Sequence, residues 1–251
     1  MCAAASSSPP EMDPDGLSPE EATAVEWVRT MVRDSEGKKL SLVAEVVSHH
    51  TRGYEMTVDA AHVLCLWTMS KEKRVLLWKE FRPQLQLREL RLGGEWCGTR
   101  CHVDDEELAI LCLTGSMHEL QQLNLHATNR MTDSGLRGFA SAGCGAQLTS
   151  LSLSGLKEGV TDSGLSALAL AGCGEQLTSL TLDDLRKGVT DRGLIAFASV
   201  GCGANLTSLT LCRLQGEVTD AGLSALASAG CGARLTSLTL SRLQDGVTDS
   251  G

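Results

Sequence analysis

The pattern of apolar and polar positions in the second half of the chain predicts strands and helices in alternation. Leu151 and Leu153 alternate with serines, a period of two that is typical of a strand with one buried face. A Val-Thr-Asp-x-Gly-Leu segment follows at residues 160–165, where Thr161 or Asp162 can cap a helix. A Gly-Cys-Gly run comes next, and its glycines can adopt the left-handed conformation that ends a helix.

The same unit recurs along the chain at a fixed period. The cysteine of the Gly-Cys-Gly run returns every 29 residues, at Cys144, Cys173, Cys202 and Cys231. The units that begin at Leu148 and Leu177 are identical at 17 of 29 positions. A third regular unit begins at Leu206, degenerate units begin at Leu87 and Leu120, and a partial unit begins at Leu235, so six strand motifs are visible. No single unit can bury its own leucines, whereas stacked units bury them against one another.

The repeated motifs resemble those of the leucine-rich-repeat family. The resemblance covers residues 87–251 and rests on the Leu-Thr-Ser-Leu-x-Leu-x-x-Leu, Val-Thr-Asp-x-Gly-Leu and Gly-Cys segments. It implies an α/β solenoid, with parallel strands on the inner side and helices on the outer side. Because each unit carries a cysteine after the Val-Thr-Asp-x-Gly-Leu segment, the repeats resemble those of the cysteine-containing subclass of the family. This subclass is common in F-box substrate receptors of ubiquitin ligases. An F-box usually opens with a Leu-Pro pair, and this chain has none.

The chain in front of the repeats has a different composition. Residues 1–17 contain few large apolar side chains, and we expect a disordered tail there. The Ser-Pro-Glu-Glu segment at residues 18–21 predicts a helix, because it supplies an N-cap, a proline at the first helical position and a glutamate three residues after the cap. The periodicity predicts further helices over residues 40–49, 58–67 and 71–81. We therefore expect residues 18–86 to form a small α-helical domain before the solenoid of residues 87–251.

The last unit is expected to be incomplete. Gly251 follows a Val-Thr-Asp-Ser segment without the helix that covers the strand in the preceding units. Leu238 and Leu240 should then lack cover, because a unit in a solenoid is stabilised mainly by its neighbours. We therefore expect this end of the array to fray and to self-associate.

Composition and charge disfavour several classes of function. The chain has 22 Lys and Arg against 31 Asp and Glu, and a net charge of −9 disfavours a nucleic-acid-binding face. No apolar run approaches the ~20 residues of a membrane-spanning helix, and the N-terminal segment does not resemble a secretory signal. We expect a cytoplasmic protein with reduced cysteines and with neither a membrane nor a nucleic-acid partner.

The cysteines are the first candidates for chemistry. One small thiol per unit at the end of each helix is typical of close packing between units, and a row of single thiols does not form a tetrahedral metal site. Cys97, Cys101 and His102 lie together in one expanded loop and offer either three zinc ligands or a thiol with a histidine base. A fourth ligand near them in sequence could come only from Cys112 or His118.

The polar positions of the strands form the candidate binding surface. In the later strands these positions are mostly Ser and Thr, whose hydroxyls offer shallow hydrogen bonding, whereas charged and amide groups vary in the first two strands. Further charged residues lie near the ends of the later strands. The candidate partner-binding residues are therefore Glu89, Arg91, Gln122, Asn124, His126, Asp183, Arg213 and Arg242.

The sequence therefore favours a non-enzymatic interaction module without a cofactor, which binds a partner protein on the concave face of the solenoid. The resemblance implies an alternative, a substrate-recognition subunit of a cullin-type ubiquitin ligase that contacts a ligase adaptor. A zinc or cysteine enzyme centred on Cys97, Cys101 and His102 is the third hypothesis. A solvated sheet face without a specific partner is the remaining interpretation.

Overall fold

A parallel sheet built from the repeats dominates the structure, which is a computed structural model. The structure describes residues 22, 26, 39–45, 71, 75, 86–93, 95–96, 99–100, 103–126, 130–156, 159–186, 188–214, 218–243 and 247–248. Most of these residues belong to the repeated units. The structure therefore tests the part of the chain whose periodicity predicts a solenoid.

The strands follow one another across the sheet in chain order. They are β1 (Lys39–Glu45), β2 (Gln86–Gly93), β3 (Glu95–Trp96), β4 (Thr99–Arg100), β5 (Gln122–His126), β6 (Ser150–Ser154), β7 (Ser179–Arg186), β8 (Ser208–Leu214) and β9 (Ser237–Ser241). Seven of them form one parallel sheet in the order β1-β2-β5-β6-β7-β8-β9. β3 and β4 form a separate antiparallel pair in the long connection after β2. Each unit therefore pairs only with its neighbours, as stacked repeats do.

A nine-residue helix lies between successive strands of the repeats. The helices are α1 (Asp105–Leu113), α2 (Asp133–Ser141), α3 (Asp162–Leu170), α4 (Asp191–Ser199) and α5 (Asp220–Ser228). Their N-caps, Asp104, Thr132, Thr161, Thr190 and Thr219, each accept a hydrogen bond from a backbone N–H of the first turn. Thr161 is thus the cap of α3, and the neighbouring Asp162 is the first residue of that helix.

The core lies between the sheet and the helices. The strand leucines Leu151 and Leu153 and the helix leucines Leu165 and Leu168 are at most 1% exposed. Ser152, between the two strand leucines, is half-buried and lies on the other face of the sheet. The predicted phase of the strands is therefore confirmed. Burial of one such leucine contributes about 1.5–3 kcal/mol, and this contribution recurs from unit to unit.

One predicted helix is wrong. Residues Lys39–Glu45, which lie mostly within the helix predicted over 40–49, form the strand β1 instead. The register pairs Leu42 with Leu90 and Ala44 with Leu92, so the apolar positions of β1 continue the apolar columns of the sheet. A short apolar run can form either a helix or a strand. Here its pairing with the edge of the sheet at β2 favours the strand.

Other parts of the predicted helical domain are described only at single residues. Ala22 and Glu26 are helical, and so are Lys71 and Val75, in agreement with the helices predicted from residue 18 and over 71–81. The predicted tail at 1–17 and the helix predicted over 58–67 lie outside the described residues. The division of the chain into a helical domain and a solenoid stays a prediction.

The N-terminus of the first helix of the array forms an ion-pair cluster with Lys71. The Nζ atom of Lys71 lies 2.7 Å from a carboxylate oxygen of Asp104, the N-cap of α1, and 2.6 Å from one of Glu106. Hydrogen bonds to these two carboxylates raise the pKa of Lys71 above its usual range. Lys71 therefore contacts the N-terminal edge of α1.

The architecture is an α/β repeat solenoid, as the periodicity predicts. Parallel strands form one layer, helices form the other, and the sheet does not close into a barrel. Of the helices within the described residues, none has the length and apolar character that a bilayer crossing requires.

Candidate functional site

The candidate site lies on the face of the sheet that carries the polar strand positions, opposite to the helices, which we call the open face. The backbone register arranges these positions in three columns across the strands from β2 to β9. The first column contains Glu89, Gln122, Ser150, Ser179, Ser208 and Ser237. The second contains Arg91, Asn124, Ser152, Thr181, Thr210 and Thr239, and the third contains Gly93, His126, Ser154, Asp183, Cys212 and Ser241.

The register brings together the varied residues at the start of the array. Glu89 pairs with Gln122 and Arg91 pairs with Asn124 on the adjacent strands β2 and β5, while His126 ends the same strand as Asn124. Gln122 and His126 are exposed and Asn124 is half-buried. These five positions, which we call the recognition patch, lie side by side on strands that are about 4.7–4.9 Å apart. The strand β1 adds positions in register with this patch that the sequence analysis did not include.

A second charged group lies near the carboxyl ends of β7 and β8. Arg213 donates from Nε to Oδ1 of Asp183 at 2.9 Å and from Nη2 to Oδ2 at 2.5 Å, a paired geometry that suits a guanidinium. Ser154 donates a weaker hydrogen bond of 3.3 Å to the same carboxylate. The hydrogen bonds to Asp183 raise the pKa of Arg213. Asp183 and Arg213, predicted separately, therefore form one ion pair.

Arg242 belongs to a column of backbone positions with unusual geometry. Gly155, Asp184, Arg213 and Arg242 each follow the last open-face position of their strand, and their φ angles are 64°, 51°, 51° and 53°. Side chains other than glycine rarely adopt this left-handed conformation, which costs about 1–2 kcal/mol per residue. Glycine adopts this conformation readily, as at Gly155, yet the three later units place Asp184, Arg213 and Arg242 at the same position. The only sequence signal for this column is the change from Gly155 to charged residues at a constant spacing.

The start of the helix in each unit makes a contact that sequence reasoning missed. Thr161, the cap of α3, donates from its backbone N to Oδ1 of Asp133 at 2.7 Å and from Oγ1 to Oδ2 at 2.6 Å. Asp133 is the first helical residue of the preceding unit. The backbone N of Gly164 also donates to Oδ1 of Asp133, at 3.0 Å. The aspartate of the repeated motif therefore joins two units rather than capping its own helix.

This contact recurs along the array and explains the motif Val-Thr-Asp-x-Gly-Leu. The pairs are Asp105 with Thr132, Asp133 with Thr161, Asp162 with Thr190, Asp191 with Thr219 and Asp220 with Thr248, which together we call the aspartate ladder. A Cβ atom at Gly164 or Gly193 would overlap the aspartate of the preceding unit. The glycine of the motif is therefore required by the ladder.

The cysteine column has the packing role that the sequence predicts. Cys144, Cys173, Cys202 and Cys231 are at most 2% exposed. A Cβ atom at Gly145 would overlap the Sγ atom of Cys173, so the second glycine of the Gly-Cys-Gly run makes room for the cysteine of the next unit. Burial raises the pKa of Cys173 and of Cys202 to about 11. These thiols are therefore poor nucleophiles at neutral pH.

The expanded loop with the proposed zinc ligands lies partly outside the described residues. The strands β3 and β4 form a short antiparallel pair in this loop, but Cys97, Cys101 and His102 themselves lie outside the described residues. Within the described part of the chain, no group of three or more His, Cys, Asp or Glu side chains has the arrangement of a metal site. The zinc or cysteine enzyme stays a hypothesis.

Comparisons with known proteins support the fold. No family model matches the chain, and no curated protein matches it either. Among solved structures the chain is similar to Rad7 in the crystal structure of the yeast Rad7 and Elc1 complex, with a TM-score of 0.53 and 23% sequence identity. The match covers 71% of this chain and 40% of that chain, so this chain spans less than half the length of that relative. Together with the repeats, the similarity supports a leucine-rich-repeat-like protein.

Proposed function

We propose that the chain is a non-enzymatic interaction module that binds a partner protein on the open face of its sheet. The observation that carries this proposal is the register of β2 and β5, which sets Glu89 beside Gln122 and Arg91 beside Asn124. Charged and amide groups are thus concentrated on neighbouring strands, whereas the same columns become serines and threonines further along the array. A specific partner needs such local chemical variety, which a uniform row of hydroxyls does not offer.

The chemistry of the recognition patch suits a partner surface with carboxylates and backbone amides. Arginine binds a carboxylate through two parallel hydrogen bonds and is enriched among the residues that dominate binding energy. Asn124 and Gln122 can each donate to and accept from a peptide backbone. The Asp183–Arg213 ion pair and Arg242 add charged groups further along the same face. We infer that the partner lies across the strands, with the recognition patch as its main contact.

Affinity purification of the full chain followed by mass spectrometry tests this proposal. The double variant Arg91→Ala with Asn124→Ala should lose the partner that the wild-type chain captures, with little change in the thermal unfolding midpoint. The matched control is Ser208→Ala with Ser237→Ala, in the same face but outside the recognition patch, and it should retain the partner. Capture that survives the first pair of changes and fails with the second would contradict the proposed location.

A second candidate function is substrate recognition in a cullin-type ubiquitin ligase. It is supported by the likeness of the repeats to the cysteine-containing subclass, and the similar protein Rad7 is one that has been crystallised in a complex with Elc1. Co-purification distinguishes this candidate from the general module, because a cullin-type adaptor should accompany the chain only if the ligase role is correct.

The zinc or cysteine enzyme hypothesis has its own test. Metal analysis of the purified full chain should find no stoichiometric zinc if the interaction module is the whole function. Stoichiometric zinc, lost together with Cys97→Ser and Cys101→Ser, would instead support a metal site in the expanded loop.

A further inference from the structure

The cysteine that follows each regular helix packs against the helix of the preceding unit. The Sγ atom of Cys202 donates to the backbone carbonyl of Ala169, the eighth residue of α3, at 3.8 Å. The same helix position holds Ala140 in α2 and Ala198 in α4. The first helix departs from this pattern, because its eighth residue is Cys112. A second thiol therefore stands where the regular units have only a methyl group.

The turn after α1 also differs from the later turns, and the difference displaces the thiol of Cys144. Gly145 makes room for the Sγ atom of Cys173, because a Cβ atom at that glycine would overlap it. The equivalent residue in the first unit is Met117, which carries a Cβ atom and is completely buried. Cys144 therefore cannot place its thiol as Cys173 does. Its Sγ atom donates instead to the carbonyl of Ala142 in its own unit, at 3.9 Å.

These two departures bring two buried thiols together. Cys112 and Cys144 are 6% and 0% exposed, and the thiol of Cys112 donates a hydrogen bond to the Sγ atom of Cys144. In later units the thiols of Cys202 and Cys231 donate to backbone carbonyls instead. The hydrogen bond between the two thiols lowers the pKa of Cys144 and raises the pKa of Cys112. Cys144 is therefore the first of the two to become a thiolate, which is the nucleophilic form of cysteine.

We propose that Cys112 and Cys144 are a site of reversible oxidation by a peroxide, at which a disulfide forms between the first two units of the array. The thiolate of Cys144 attacks one oxygen of hydrogen peroxide and breaks the O–O bond, which leaves a sulfenic acid on Cys144. The other oxygen departs as hydroxide and takes up the proton that Cys144 lost, which gives one water molecule. The sulfur of Cys112 then attacks the sulfenic sulfur, and its proton leaves with the sulfenic oxygen as a second water molecule. The two thiols lose two electrons, and the peroxide accepts them.

The disulfide would connect the two units that carry the recognition patch. Cys112 lies in the helix that follows β2, and Cys144 lies after the helix that follows β5. The bond closes a loop over residues 112–144, which includes β5, and so restrains the two strands of the patch relative to one another. Formation of the bond does not depend on the proposed function, because it is measured on the chain alone.

Peptide mapping by mass spectrometry of the full chain tests the site, after treatment with hydrogen peroxide and blocking of the remaining thiols. The wild-type chain should yield two peptides joined through Cys112 and Cys144, with two hydrogen atoms fewer than the separate peptides. A dithiol reductant should separate them. Cys173 and Cys202 should keep free thiols in the same sample, because burial raises the pKa of both to about 11.

Two variants distinguish the paired thiols from general oxidation. Cys112→Ala restores the residue of the regular units, so it should fold and give no linked peptide. Cys212→Ser is the matched control, because it removes the half-buried Cys212 of β8, and it should give as much linked peptide as the wild type. Peroxide should raise the thermal unfolding midpoint of the wild type and leave that of Cys112→Ala unchanged, since a crosslink restrains the unfolded chain.

The exposed cysteine also shows whether the oxidant has acted. A wild-type chain in which Cys212 is oxidised while Cys112 and Cys144 remain free thiols would overturn the proposal. Oxidation of Cys144 to a sulfinic acid without linkage to Cys112 would overturn it as well, because the second thiol would then not be in position to react.

Discussion

The two ends of the helix in each repeated unit keep the same residues along the array, whereas the open face of the sheet does not. At the start of the helices the aspartate ladder places the same two residue types in contact between every described pair of units, and the cysteine column does so at the helix ends. The open face changes instead, from Glu89 and Arg91 through Gln122 and Asn124 to serines and threonines. A ladder side chain bonds to the same residue type in each described unit, whereas the residue type at an open-face position changes from unit to unit. Repetition therefore indicates stacking, and variation along the array indicates candidate positions for recognition.

The largest loss of stability should come from replacing a buried leucine of a strand. Leu180 is 1% exposed, and Leu180→Ala should lower the free energy of unfolding by ~2–5 kcal/mol, because it leaves a cavity between sheet and helices. The neighbouring Ser179 lies on the open face, and Ser179→Ala should be nearly silent. Urea titration of both variants measures the difference, and equal losses would show that the two faces of the strand are not distinct.

The second-largest loss of stability should come from removing an aspartate of the aspartate ladder. Asp162 accepts from the backbone N of Thr190 at 2.8 Å and from its Oγ1 at 2.7 Å. Asp162→Ala leaves both donors of Thr190 without this acceptor, which should cost ~1–3 kcal/mol of stability. Asp162→Asn keeps one acceptor oxygen and should cost less.

An exposed acid of the same unit provides the control for this change. Glu175 is exposed in the turn after α3, and Glu175→Ala should change the chemical unfolding midpoint little. If Asp162→Ala and Glu175→Ala shift that midpoint equally, the ladder does not stabilise the array and the motif must have another cause.

The cysteine column should make stability depend on alkaline pH. The folded-state pKa of Cys173 and Cys202 is about 11, above the ordinary value of ~8.5 for an unfolded chain. The neutral thiol is therefore favoured in the folded state, and its contribution is complete below pH ~8.5. It is lost as the pH rises from there toward about 11. Unfolding midpoints measured over this range should fall, and thiol labelling of the native chain should be slow. Rapid native labelling would contradict the buried role.

Most of the solenoid could be predicted because its cause is local and repeated. The alternation around Leu151 and Leu153 determines which face of the strand is buried, and the fixed period determines which residues are neighbours across the sheet. The three open-face columns therefore followed from the sequence alone. The burial of the cysteine column could be predicted for the same reason, because a small thiol that recurs at each helix end is typical of close packing between units.

The parts that could not be predicted depend on contacts between units or on a sheet edge. Asp133 is of a residue type that commonly caps helices. Only the packing of two units shows that its carboxylate instead accepts hydrogen bonds from Thr161 of the next unit. The strand β1 has an apolar run that also suits a helix, and its pairing with β2 is a tertiary effect. The left-handed backbone at Arg213 could not be predicted from the sequence, because no glycine stands at that position.

The smallest effect tests whether this ion pair is a property of the repeat. Arg213 reaches back to Asp183 of the preceding strand, and Arg242 has the same left-handed backbone and the same position relative to Cys212. Cys212→Asp should therefore create a second pair, with Arg242, and because this site is exposed the coupling should be only ~0.2–1 kcal/mol. A double-mutant cycle with Arg242→Ala measures it, and the cycle between Asp183→Ala and Arg213→Ala provides the reference. If the reference pair couples and the new pair does not, side-chain geometry on the open face is set unit by unit. That outcome would show that an ion pair on the open face needs more than the same positions in two neighbouring units.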